Sequence, residues 1–254
     1  MNITDFFAPA GKFTPVGAFS AEHIALSLIS LLAVAVALFL TRKIDKKRVL
    51  RIIQILTLSI CVLETVKIVF TLITSSARDL NSYVPLYFCS ITIYAGLLAG
   101  FAKGWWRRTG EVFLATGGII GGLAYIAYPL TAVSIYPSFH FITVYSFLLH
   151  AAMIYLGLLL LITGYTKLKT QDIDHFVLIV TLVSVLAFAI NITFHTNLMF
   201  LSQNYPGTPI EIAYKLFPGL IFPLFMYLFQ VFVPFYAMYG AYRLITKKKN
   251  SQDS

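Results

Sequence analysis

Charge is scarce in this chain, and so is cysteine. Only 11% of the 254 residues are Asp, Glu, Lys or Arg, where a soluble domain carries about 25%. Two cysteines rule out a disulfide scaffold. With 15 Gly, 10 Pro and neither a Gly-X-Y nor a heptad period, the chain is not a collagen or a coiled coil. Disorder is excluded by the opposite excess, since 59% of the residues are hydrophobic. No basic start and no early apolar run precede Ala21, so no cleavable signal peptide is expected. What the chain does have is long apolar runs and a mean hydropathy of +0.83. They specify an integral membrane protein, long enough for about six to eight spans.

Seven stretches qualify: Ala21–Leu40, Val49–Ile73, Val84–Phe101, Glu111–Tyr128, Phe139–Gly164, Phe176–Thr196 and Pro218–Ile245. None alternates as a barrel strand would, and Leu156–Leu161 is apolar throughout, so the spans are helical. Basic residues give the orientation. Fifteen of the 19 Lys and Arg fall in the first, third and fifth loops and the tail; Lys12, Arg78 and Lys215 fall on the other side. Lys67 lies within a span. The expected fold is therefore an all-α polytopic bundle of seven transmembrane helices, N-terminus outside and C-terminus cytoplasmic. It forms a single domain over 1–254, with an external segment 1–20 and a basic cytoplasmic tail 246–254. The +9 net charge then reads as loops against anionic headgroups, and nucleic acid is not needed to explain it. No internal repeat is visible, which argues against an inverted-repeat transporter. Gly117, Gly118, Gly121 and Gly122 form two overlapping Gly-x-x-x-Gly pairs that suit close helix packing. Pro218, Pro223 and Pro234 predict a kinked or broken seventh span.

Ionisable groups inside spans each need a reason. Glu64 and Lys67 share a helical face of span two, with Cys61 nearby, and can neutralise each other or serve a polar site. Glu22 and His23 open span one, and Cys89 follows Pro85 in span three. Span five carries His140 and His150; span six carries Asn191 and His195 on one face. Together they predict one buried polar pocket opening outward. Cysteine with histidine is the minimal thiol nucleophile and base. A Cys/His/Glu set can also bind a transition metal, but neither C-x-x-C nor H-E-x-x-H spacing is present, so the metal signal is weak and no metal ligand is assigned. No G-x-S-x-G elbow occurs, against a serine hydrolase.

At Val84-Pro85-Leu86-Tyr87-Phe88-Cys89-Ser90-Ile91 the chain resembles the bacterial YwaF-like family of integral membrane proteins, whose stretch reads approximately L-P-L-H-L-C-[ND/S]-I. Phe19-Ser20-Ala21-Glu22-His23, Ser146-Phe147-Leu148-Leu149-His150 and Thr196-Asn197-Leu198-Met199-Phe200-Leu201, followed by Pro206 or Pro209, resemble three further segments of that family. The bacterial family is similar to a eukaryotic multi-pass cysteine acyltransferase of ether phospholipids, and more distantly to androgen-induced hydrolases of fatty-acid esters. The resemblance implies Cys89 as the acyl-accepting nucleophile, His150 as general base and a bacterial plasma membrane location. Tyr87 stands where the family has histidine, and Leu198 where it has tyrosine. Depth along ideal helices gives a different partner. It puts Cys89 roughly 7 Å and His150 about 17 Å below the outer surface, so His140 or His195 matches Cys89 better.

The expected function is a lipid acyltransferase or acyl hydrolase working through a thioester on Cys89, with a membrane phospholipid as donor. No acyl-CoA or nucleotide motif is present and no cofactor is called for. Asn191, Asn197 or Tyr87 would supply the oxyanion donor. The alternative is a non-enzymatic binder or transporter of a small polar or amphipathic ligand, with Glu64, Lys67 and the histidines as binding groups. Lipid identity and oligomeric state have no signal in the sequence.

Overall fold

The computed structural model describes residues 3–74, 80–129 and 131–252, with side chains as far as Lys248. Arg78 and the Lys249 side chain, both used in the charge count, lie outside the described residues. Among the described residues there are helices and connections and no strand. We number the principal helices α1 (Ala21–Thr41), α2 (Lys46–Thr74), α3 (Ile91–Phe101), α4 (Gly104–Ala127), α5 (Phe141–Ile162), α6 (Ile173–Phe194) and α7 (Ile221–Gln252). Six of them, all but α3, are long and apolar enough to cross a bilayer.

The third stretch departs from expectation. Val84–Phe101 was expected to be one helix, but helix begins only at Ile91. Eleven residues rise about 16 Å, roughly half the hydrocarbon thickness. Residues 84–90 are irregular, and their backbone is satisfied locally: Ser90 N–H donates to Tyr87 O at 2.9 Å, and the Tyr94 hydroxyl to Pro85 O at 2.8 Å. Pro85 starts the irregular stretch, because its ring disfavours helix in the residue before it.

The seventh span also differs. Pro218 precedes α7, Pro223 sits in its first turn where a missing N–H goes unnoticed, and Pro234 alone lies inside. The helix runs unbroken to Gln252, so the segment expected as a separate tail continues it. Nor is the leading segment loose. Ala8 is 2% exposed, and Phe6 and Phe7 set their rings against Phe141.

Local chemistry starts the helices where it does. Ser20 caps α1 by accepting from His23 N–H at 3.1 Å, and His140 caps α5 by accepting from Ile142 N–H at 3.1 Å. α4 and α5 form the buried centre, while only 11% of the most apolar stretch of α1 is buried. Consecutive in sequence, α1 and α2 hardly touch; both lean on α5. The short α3 is gripped through small residues. The Thr57 side chain fills the place of a Cβ at Gly96, Gln54 donates to Gly100 O at 2.8 Å, and Gly110 of α4 abuts Ala95 and Ala99. Phe113, Phe176 and Phe235 then stack through the core.

These contacts leave no room for a methyl group. Gly157→Ala sets a Cβ 2.3 Å from Leu114 O and 2.4 Å from Ile119 Cγ1, and should destabilise by about 1–3 kcal/mol. Gly240→Ala meets nothing within 4 Å and should be neutral or mildly stabilising. Thermal unfolding in detergent checks the pair; equal midpoints would refute the close packing of α4 on α5.

Candidate functional site

The site begins with a carboxylate that has lost its water. Glu64 of α2 is 5% exposed within an apolar cluster of Ile60, Phe70, Ile93, Phe141, Tyr145, Leu149 and Met153. Both its oxygens are taken. Lys67 Nζ stands 2.7 Å from Oε1, and the Tyr145 hydroxyl of α5 donates to Oε2. The ammonium also lies 5.9 Å from the Tyr145 ring centroid. Pairing and hydrogen bonding of this kind let a charge persist in an apolar envelope. Cys61 and Cys89 pack against the same cluster, neither in a disulfide. Cys89, carried by the irregular stretch before α3, is within electrostatic reach of Lys67 and Glu64 and of the Tyr125 and Tyr145 hydroxyls.

His150 is the other half. It is 4% exposed, and its ring stacks on Tyr125 of α4 with centroids 3.7 Å apart and planes 8° apart. Nδ1 stands 2.6 Å from the Ser146 carbonyl oxygen. A carbonyl only accepts, so Nδ1 carries the proton and Nε2 of the neutral ring presents a lone pair. That is the tautomer a general base needs. The Tyr125 hydroxyl is buried and makes no hydrogen bond of normal geometry among the described residues, with the Ser146 and Thr131 side chains in its polar surroundings. Tyr125 thus stacks on His150, and its hydroxyl is within electrostatic reach of Cys89. No hydrogen bond joins Cys89 to a histidine among the described residues.

The remaining candidates are not gathered here. His23 accepts from Phe19 N–H and meets Ile126 O at 3.0 Å, tying the start of α1 to the end of α4. His140 caps α5 and reaches Ala8 O at 2.8 Å. His195 and Glu22 are exposed, and His195 ends α6 in the left-handed region at φ 54°. Asn191 accepts from Thr196 Oγ1 and Leu198 N–H and donates to Leu198 O. Asn197 accepts from Ser202 and Gln203 N–H and donates to Gln203 O. Both amides hold the loop after α6. Tyr87 OH stands 3.5 Å from Asn81 Oδ1.

Sequence reasoning missed Tyr125 and Tyr145, which look like ordinary apolar-helix aromatics; only their contacts mark them. The end of the bundle that carries the basic loops also holds buried polar groups. Arg108 binds Asp172 through both oxygens and donates to Lys167 O, while Thr166 donates to the buried Glu111 at 2.8 Å. Among the described residues no group of three His, Cys, Asp or Glu side chains could hold a metal.

The model of the TMEM164 family matches residues 18–240, nearly the whole chain. The chain belongs to the TMEM164 family. No curated protein and no solved structure matches it. As a TMEM164-family protein it is a multi-pass membrane protein, and Glu64, Lys67, Cys89, Tyr125, Tyr145 and His150 all fall within the matched region.

The Glu64–Lys67 pair makes its own prediction. Glu64→Gln or Lys67→Met alone strands a buried charge and should cost about 3–5 kcal/mol. The double variant removes both charges and should recover most of that loss in thermal unfolding. Additive losses would show that the two groups act separately.

Proposed function

We propose that this protein moves or hydrolyses the acyl chain of a membrane phospholipid through a thioester on Cys89. The observation that carries the reading is the His150 tautomer, proton on Nδ1 and lone pair on Nε2, in a ring stacked on Tyr125, with Cys89 packed against the cluster that holds Leu149 and Met153 of the same helix. Nε2 takes the thiol proton and the thiolate attacks the ester carbonyl carbon. The buried Tyr125 hydroxyl donates to the oxyanion. Collapse expels the lysolipid alkoxide, which takes the proton from Nε2 and leaves S-acyl Cys89. Water or a second lysolipid hydroxyl then gives a proton to Nε2 and attacks the thioester. That step releases a fatty acid or a new ester, and the proton returns to the thiol.

The resemblance to YwaF-like proteins and to the ether-phospholipid acyltransferase supports this assignment and a bacterial plasma membrane setting. We read the topology as seven crossings, N-terminus outside, in one domain. The third crossing combines residues 84–90 with α3, which alone falls short of the roughly 30 Å hydrocarbon thickness. The basic loops contact anionic headgroups on the cytoplasmic side, and nucleic acid plays no part. A second reading, a binder or transporter of a small polar or amphipathic ligand, is favoured by one observation. The Glu64–Lys67 pair is an intramembrane ion pair of the sort that lines substrate paths.

Topology is checked with reporters. A fusion after Ser254 should read cytoplasmic, and one in the 128–138 loop external; both on one side would remove the seven-span arrangement. Chemistry is checked with three variants in nanodiscs. Cys89→Ser should keep the fold yet lose lipid turnover and any acyl adduct by intact mass, whereas Cys61→Ser should change neither. His150→Gln should slow thiol alkylation and shift it to higher pH. Full turnover by Cys89→Ser would end the thioester mechanism.

A further inference from the structure

The cleft that α1 and α2 leave between them has α5 as its floor and a volume of about 480 Å³. Small residues make the space: Ala33 and Ala37 on α1, Ser59 on α2, Ala152 on α5. Its walls are almost wholly hydrocarbon, and it lies along helices long and apolar enough to span a bilayer. Tyr145 and Tyr155 mark its length along α5, ten residues apart, or about 15 Å. The two ends differ. Tyr155 donates to Thr41 Oγ1 at 3.2 Å, pinning the end of α1 across the bundle. Tyr145 donates to Glu64, has Lys67 Nζ 5.9 Å from its ring centroid, and belongs to the apolar cluster that Cys89 packs against.

We infer that this cleft is the channel for one acyl chain of a membrane lipid, seated with its carbonyl end at Tyr145 and its tail running toward Tyr155. The inference deepens the acyl-lipid reading above and rests on it. A space of about 480 Å³ opened by alanines and a serine has room for a single hydrocarbon chain. Polarity sets the direction: an apolar trough that ends at a buried ion pair and a thiol matches a molecule with an apolar tail and a polar ester. Entry is lateral, between two helices that hardly touch, so the chain need not leave the bilayer.

The test uses full-length protein in nanodiscs containing phosphatidylcholine with a photoactivatable diazirine in the middle of one acyl chain. After illumination and digestion, adducts should concentrate on Ala33, Ala37 and Ala152 over Leu28, Leu32 and Leu40, which are exposed on α1 away from the cleft. Ala152→Phe should lower cleft labelling at least fivefold and leave labelling of those leucines unchanged. Ala33→Leu provides the same test from the opposite wall should the first variant fail to elute as a monodisperse peak. Even labelling of α1, labelling that survives both fillings, or adducts joining two copies of the chain would overturn the channel. The Cys89→Ser background separates the two ideas. Cleft labelling should persist there without a thiol. Labelling lost while wild-type Cys89 still acquires an acyl adduct would overturn the channel alone. Labelling retained with no adduct on wild-type Cys89 supports the channel and removes the thioester.

Discussion

Residues 84–90 interrupt the helical backbone, and much of the arrangement follows from how their polar groups find partners. A non-helical stretch at membrane depth survives only where protein atoms replace the missing solvent. Here the stretch folds into a turn bonded to itself and to Tyr94. The helix after it is too short to hold by its own length, so it is held by contact instead. Gly96 and Gly100 let α2 close in on one side, and Gly110 lets α4 close in on the other. The irregular backbone in turn places Cys89 against the Glu64 cluster, where a regular helical turn would fix its direction by periodicity alone.

The apolar runs made the helical character and six of the long elements legible, because hydrocarbon admits little else. The break before α3 was harder to see. Val84–Phe101 is apolar throughout, and only Pro85 hints that helix is delayed. Glu64 and Lys67 could be paired from their spacing, but Tyr145, their third partner, is 81 residues from Glu64 and carries no charge to betray it. Two histidines were read toward a pocket and turn out to serve as ties. His140 stands immediately before an apolar run, which is a capping position, and His23 falls in the first turn of α1. Asn191 and Asn197 were likewise read as free donors, though each serves the loop that follows it. Arg108 and Asp172 lie 64 residues apart, so their bond is a tertiary fact without a local trace.

The polar atoms of the interior divide into two kinds. Most are closed accounts in hydrogen bonding: Glu64 with two donors, Asn191 with three partners, Arg108 with a carboxylate and a carbonyl. These groups hold helices in place. A few buried hydroxyls make no hydrogen bond among the described residues, those of Thr57, Thr92, Thr143 and Tyr125 among them, and Tyr125 alone of these four stacks on a histidine.

One turn of α4 is π-helical, over Leu114–Gly118. Such a turn holds an extra residue, and each residue of a helix sweeps about 100°. Everything downstream is therefore out of phase with the half that begins at Gly104. The upstream half presents Gly110 to α3 and Phe113 to α6, while the downstream half presents Gly122 and Tyr125 to α5. A chain one residue shorter at this turn would keep its composition, length class and hydropathy, yet aim Tyr125 about a quarter-turn away from His150. The alignment of these two rings is thus a matter of angular counting along a helix, settled two turns before either ring is reached.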